Sequence, residues 1–123
     1  MSDQLSNATR SMLSDRARKA LLDIRDNILL AQQWAAGVSL RDFAADRIRF
    51  YAVTRCLEII SEGSRRLPEE VRARHPDVPW RDVRDAGNIY RHDYDGVQER
   101  IVLATVERSL PELLAVVEDE LSR

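Results

Sequence analysis

The sequence predicts an all-α fold, an antiparallel bundle of four to five helices in one domain. Apolar residues recur at spacings of three and four along most of the chain, and no segment alternates as a strand would. The composition is 44% hydrophobic and 33% charged, with 6% aromatic residues and four glycines, which favours helices over a sandwich or barrel. A chain of 123 residues fits a single domain, which we expect to span residues 16–123.

The first helix is predicted from about Arg16 to Ala36. Gly37 follows it in the position where a glycine commonly ends a helix. The preceding residues 1–15 are mostly polar and lack the apolar core of a signal peptide, so we expect a flexible arm. The apolar stripe that predicts this helix consists of Ala17, Ala20, Ile24, Ile28, Ala31 and Ala35.

A second, long helix is predicted from about Leu40 to Arg66, with Ser39 as its N-cap and Asp42 at the third helical position. Its apolar face is wider than one partner helix needs, which indicates a central helix packed on two sides. One stripe is Phe43, Phe50, Val53, Leu57, Ile60 and Leu67, and the neighbouring stripe is Ile48, Ala52, Cys56, Ile59 and Gly63.

The remaining helices are punctuated by prolines. Pro68 opens a short third helix, which closes before His75-Pro76 because a residue that precedes proline avoids helical geometry. A fourth helix starts near Trp80 and ends by Asp95-Gly96, a strong turn signal.

The last helix carries an apolar stripe but contains a proline. Pro111 predicts a kink or two consecutive helices, with Ser109 and Glu112 capping the restart. The stripe consists of Val102, Val106, Leu110, Leu113, Val117 and Leu121.

The segment that points to chemistry reads WRDVRDAGNIYRHDYDG and spans 80–96. On a helix, Arg84, Asn88 and His92 share one face because they are spaced by four, and Arg81 and Arg91 flank that face. Such a group can bind phosphate and exchange a proton near neutral pH. The alternative is structural, since cations in the last turn of a helix also complement its dipole.

Bulk charge and cysteine content exclude several classes of function. The net charge is −2, so the whole chain is not an electrostatic magnet for nucleic acid, although its basic residues are arginines apart from Lys19. Cys56 is a lone cysteine, which excludes an internal disulfide and indicates a reducing, cytoplasmic setting. No apolar run is long enough for a membrane span, and no residue spacing is typical of a zinc site or a cofactor loop.

The order of several marks resembles the HepT-like family of the HEPN superfamily. Between Asp46 and Val97 these marks are a Leu-Glu-Ile-Ile block in the long helix, then Leu-Pro, then Pro-Trp, then His-x-Tyr followed by Asp. The resemblance implies a HEPN-like bundle, a two-fold homodimer and a metal-independent endoribonuclease that acts as the toxin of a toxin–antitoxin pair. The alternative that makes no use of the resemblance is an unrelated bundle with an interaction role.

Carried over position by position, the family signature falls on His92, Tyr94 and, as its polar residue, Asn88. The arginine of the signature does not carry over, because Gly87 precedes Asn88. Either Arg91 has taken the arginine's role, or the site is weakened and the protein binds RNA or a nucleotidyltransferase without cleaving.

The resemblance also implies roles for these residues. His92 would transfer a proton, Arg91 would stabilise the developing charge and Asn88 would orient the phosphate or the imidazole. Arg84 and Arg81 are candidate RNA contacts. The implied partner is an MntA-like nucleotidyltransferase antitoxin, which would adenylylate Tyr94. No metal or other cofactor is expected.

Overall fold

The computed structural model of the chain describes residues 2–86 and 97–123, with side chains from residue 15 onward except Val97. Its described part is all-α and contains no strand, as the sequence predicted. The helices are α1 (Ser2–Ala35), α2 (Leu40–Ala45), α3 (Arg47–Arg65), α4 (Glu69–Ala73), α5 (Trp80–Asp85), α6 (Val97–Ala104) and α7 (Leu110–Leu121). A π-helical turn, Thr105–Ser109, joins α6 to α7.

α1 is longer at its N-terminal end than the sequence predicted, since it begins at Ser2 and not near Arg16. Residues 1–15 lack an apolar stripe, but they also lack proline and glycine, so nothing in them interrupts helical hydrogen bonding. That these residues form a flexible arm stays a prediction. The other end is confirmed, because α1 stops at Ala35 and Gly37 adopts a φ of 69°.

The predicted long second helix is wrong in one respect, because it is two helices separated at Asp46. The Asp46 carboxylate accepts a hydrogen bond from the Arg49 N–H at 3.0 Å and so caps the start of α3. Ser39 is confirmed as the cap of α2, since its hydroxyl accepts from the Asp42 N–H at 3.1 Å. An aspartate inside an otherwise periodic stretch was the signal for the break.

The core forms where α1 packs along α3, with α7 against α1 and α5 against α3. The apolar stripe predicted for α1 is fully buried, and so is the first stripe predicted for the second helix. At the crossing of α1 and α3, a Cβ added to Gly63 would meet Ile24 Cγ1 at 2.7 Å. Gly63 therefore allows the two helices to approach closely.

The second predicted stripe of α3 is only partly covered. Cys56 and Gly63 are buried, and burial raises the pKa of the Cys56 thiol, in keeping with an inert cysteine. Ile48, however, is 79% exposed, and its neighbour Tyr51 is 63% exposed. The outer side of α3 near its N-terminus thus has no partner within the described chain.

The predicted interruption near Pro111 is confirmed, but its form differs from the expected capping. The turn before the proline widens to π-helical spacing, with the Leu110 N–H donating to the Thr105 carbonyl. Ser109 keeps helical angles and makes no side-chain cap. Because proline has no N–H to donate, a wider turn keeps the chain helical where ordinary spacing would leave a carbonyl unpaired.

None of the helices in the described part combines the length and the apolar character that crossing a membrane requires.

Candidate functional site

Four of the predicted site residues lie outside the described residues: Asn88, Arg91, His92 and Tyr94. The structure places the two ends of the chain that bracket them. Arg81 and Arg84 belong to α5, which leads into the segment 87–96, and α6 leads out of it. The described geometry therefore concerns how α5 and α6 are anchored.

The C-terminal end of α5 is fixed to α3 by two side chains. The Arg84 carbonyl accepts hydrogen bonds from the Ser61 hydroxyl and, at 2.9 Å, from the Arg65 guanidinium. The start of α5 is anchored as well, because the Trp80 indole N–H donates to the His75 carbonyl at 3.0 Å. The point at which the chain enters the predicted motif is thus set by α3.

The two predicted RNA contacts of α5 are both accessible. Arg81 is exposed and Arg84 is partly buried. Neither side chain makes an ion pair with a carboxylate anywhere in the described part of the chain. Their charges are therefore free to meet an anionic ligand.

α6 begins with a buried carboxylate that the sequence interpretation missed. Glu99 accepts a hydrogen bond from Arg47 of α3 at 2.8 Å through Oε1, whereas its Oε2 is buried and has no partner within the described residues. Arg47 also lies over the Phe50 ring, 4.5 Å from its centroid. Glu99, followed by Tyr51, raises the pKa of Arg47. The signal for Glu99 was its position three residues before Val102, on the apolar face of α6.

A pocket of about 300 Å³ lies between α3, α5, the π-helical turn and α7. Its floor is apolar, formed by Leu57, Leu110 and Leu113, and the two acidic residues of α5, Asp82 and Asp85, lie at its side. The acidic side of α5 therefore faces this pocket. Carboxylates repel phosphate, so the pocket is not the surface on which α5 would meet RNA.

A second cluster missed by the sequence interpretation ties the loop before α5 to α7. We predicted Glu120 on a solvated face, but its side chain is only 3% exposed. Arg74 donates to its two oxygens at 2.9 and 2.8 Å, and His75 Nε2 lies 2.7 Å from Oε1. Glu120 follows Val117 by three residues, which was a sign that it lies on the buried stripe.

His75, Asp119 and Glu120 offer ligand atoms within 4.8 Å of one another, a spacing that would suit a metal ion. Both Glu120 oxygens are, however, already engaged by Arg74, and Arg123 Nε lies 3.6 Å from Oε1. Two guanidinium groups at these distances oppose the binding of another cation. We therefore interpret the cluster as an ion-pair network that holds the loop.

Comparison with known proteins identifies the chain's relatives. The family model described as Ribonuclease HepT-like matches residues 24–120. A candidate ribonuclease HepT from Thermococcus cleftensis is 34% identical over 93 residues, which is 76% of this chain and 84% of that protein. No solved structure matches the chain significantly.

Further relatives agree with this match. A candidate RNase from Caldanaerobacter subterraneus subsp. tengcongensis is 37% identical over 71% of this chain and 78% of its own length. Another, from Methanocaldococcus jannaschii, is 31% identical over 86% of this chain and 98% of its own length. The match to the family model extends from α1 to α7 and includes the predicted motif. The chain therefore belongs to the HepT-like ribonuclease family.

Proposed function

We propose that the protein is a metal-independent endoribonuclease that acts as the toxin of a toxin–antitoxin pair. The observation that carries this proposal is the family match over residues 24–120, which includes Asn88, His92 and Tyr94 in the expected order. The accessible arginines of α5, next in the chain to this segment, favour a polyanionic substrate.

The chemistry follows from the residue types. The 2′-hydroxyl of RNA attacks the adjacent phosphorus, and the bond to the 5′-oxygen of the next nucleotide breaks, leaving a cyclic phosphate. His92 transfers the proton that this exchange requires, since imidazole titrates near neutral pH. Arg91 stabilises the negative charge that develops on the phosphorane oxygens, and Asn88 orients the phosphate.

An RNA-cleavage assay in EDTA tests this proposal, comparing the wild type with His92→Ala. We expect cleavage by the wild type and none by the variant, with unchanged helical content by circular dichroism. The chain's other histidine supplies a matched control, because His75→Gln should cleave as the wild type does. A folded wild type that leaves RNA intact, or a His92→Ala variant that cleaves normally, would contradict the proposal.

The antitoxin in this proposal is a nucleotidyltransferase that adenylylates Tyr94. A nucleotide attached two residues from His92 would fill the site and add negative charge beside Arg91. Tyr94→Phe should therefore keep its activity and escape silencing by the transferase. Tyr51→Phe is the control, since Tyr51 is an exposed phenol outside the motif and its loss should leave silencing intact. Silencing of the Tyr94→Phe variant would refute this part.

The proposed enzyme is a two-fold dimer in which two motifs form one cleft. The uncovered surface of α3 and α6 supports this arrangement, with Ile48 79%, Tyr51 63% and Ile101 40% exposed. Clustered apolar exposure of this kind is typical of protein interfaces. The unpartnered Glu99 Oε2 lies on the same two helices, where a second protomer could supply a donor.

A second candidate function is a module that binds RNA or the nucleotidyltransferase without cleaving. The observation that favours it is Gly87, which stands where the family signature has its arginine. The same assay separates the two functions, because the binding module would retain RNA in EDTA without shortening it.

A further inference from the structure

The arginines around the end of α3 and the loop after α4 fall into two groups. Arg66, Arg72 and Arg74 each donate to a carboxylate at 2.8–2.9 Å, from Asp23, Glu69 and Glu120 respectively. Arg65, Arg81 and Arg84 have no carboxylate within ion-pair distance in the described part of the chain. The uncompensated positive charge is therefore confined to the second group.

Arg65 is held in place without losing its capacity to bind a ligand. It uses its Nη2 to donate to the Arg84 carbonyl at 2.9 Å, a neutral acceptor that leaves the guanidinium charge uncompensated. A guanidinium carries five N–H groups, so most of its donors stay free for an anion. Because one bond already orients it, less side-chain entropy is lost when it binds.

The two sides of α5 differ in charge. Asp82 and Asp85 line the pocket toward the π-helical turn and α7, whereas Arg81 and Arg84 do not line it. The Arg65 side chain reaches the end of α5 from α3. We call Arg65, Arg81 and Arg84 the α5 arginine patch.

We propose that the α5 arginine patch binds the phosphate backbone of the RNA strand next to the predicted motif, with Arg65 as its best-oriented member. This inference rests on the proposed function, since it concerns the same substrate. The patch ends where the chain enters segment 87–96, so a strand bound there continues toward the site. Arginine forks suit phosphate oxygens, and contacts to the backbone hold a strand in register whatever its bases.

The test measures binding of a short fluorescent single-stranded RNA to the full chain carrying His92→Ala, so that cleavage does not interfere. With Arg65→Gln added, we expect about tenfold weaker binding, the loss of one charge-assisted contact. The dependence of log K on log salt should become shallower by about 0.7, the value for one phosphate contact on a single strand. Arg66→Gln is the matched control and should change neither quantity, because Asp23 already engages Arg66 at 2.9 Å.

A purely structural role for Arg65 is separated by two further variants. Ser61→Ala removes the other donor to the Arg84 carbonyl and leaves the charge intact, so RNA binding should be unchanged. Arg65→Lys keeps the charge but loses the fork and should bind with intermediate affinity. The proposal is overturned if Arg65→Gln keeps the parent's affinity and salt dependence, if Ser61→Ala weakens binding as much, or if the parent binds no RNA.

The outcome for cleavage is independent of this result. RNA binding that depends on Arg65, with a wild type that leaves RNA intact, would support the patch and refute the nuclease. Cleavage that is lost in His92→Ala, with no effect of Arg65→Gln on binding, would support the nuclease and refute the patch.

Discussion

Arg47 and Glu99 join the start of α3 to the start of α6, 2.8 Å apart, and they differ in exposure. The arginine side chain is 49% exposed and the glutamate side chain 11% exposed. Glu99 is thus the member of the pair that depends on its partner, because a half-exposed guanidinium can return to water and a buried carboxylate cannot.

The first prediction follows from this difference. Arg47→Ala should lower the free energy of unfolding by about 3 kcal/mol, because it leaves Glu99 buried and unpaired. Glu99→Ala should cost only about 1 kcal/mol, since Arg47 becomes hydrated. Urea unfolding at pH 7 measures both, and a larger loss for Glu99→Ala would contradict the argument.

The pH dependence of the Arg47→Ala variant gives an internal check. A stranded buried carboxylate has a raised pKa, so the folded variant takes up a proton before the unfolded chain does. Its stability relative to the wild type should therefore improve as the pH falls from 7 toward 5.

The network around Glu120 predicts the opposite pH dependence. Hydrogen bonds from Arg74 and then His75 hold the pKa of Glu120 below its ordinary value of 4.5. The stability it contributes is present above 4.5 and is lost as the pH falls through the lowered pKa of the folded state. Glu120→Gln should cost about 2 kcal/mol at pH 7, and this difference should shrink below pH 4.

Unfolding of both proteins across this pH range measures the effect. Glu118→Gln is the control, because Glu118 is exposed two residues away on the same helix. A deficit of Glu120→Gln that stays constant down to pH 3 would show that the carboxylate charge is not what stabilises the loop.

Gly63→Ala should destabilise the bundle although alanine is the better helix former. The new Cβ would meet Ile24 Cγ1 at 2.7 Å and the Ala20 carbonyl oxygen at 3.3 Å. Overpacking costs about 1–3 kcal/mol and helix propensity returns about 1 kcal/mol, so we expect a net loss of about 1 kcal/mol. Thermal unfolding with Ile24→Ala as the second mutation completes the cycle, and Ile24→Ala should cost less in the Gly63→Ala background than alone.

The exposed apolar residues of α3 predict the dimer interface. Ile48→Asp should convert a dimer to a monomer, because it places a charge at the centre of a surface that must lose water. Light scattering coupled to size-exclusion chromatography measures the mass. Arg41→Asp is the control, since Arg41 is an exposed residue of α2 and its replacement should leave the mass unchanged. A wild type that is itself monomeric, or a dimeric Ile48→Asp variant, would exclude this surface.

The sequence was sufficient for the helices because their positions follow from periodicity and local chemistry. The stripe from Ala17 to Ala35 is buried as predicted, and Ser39 and Gly37 end their helices as their residue types require. The break at Asp46 was missed because one capping aspartate does not disturb the apolar period on either side. Local patterns therefore predicted the elements more reliably than their exact limits.

The tertiary pairs could not be predicted from the sequence alone. Arg47 and Glu99 are 52 residues apart, and Arg74 and Glu120 are 46 apart, so nothing local indicates that they meet. Arg65 shows the same limit, because its partner is a backbone carbonyl, which every residue possesses. The predicted motif residues Asn88, Arg91, His92 and Tyr94 stay predictions, and their support comes from the family match.

The π-helical turn at Thr105–Ser109 also makes the C-terminal hairpin sensitive to length. Each residue of a helix advances the chain by about 100°, so losing one residue from this turn would rotate all of α7 by about that angle relative to α6. Glu120 would then leave Arg74 and His75, and Leu113 and Val117 would leave the core, although no side chain had been replaced. Among homologues that keep these contacts, we therefore expect insertions and deletions to be rarer in this turn than in the loop between α4 and α5, where the chain has no helical phase to preserve.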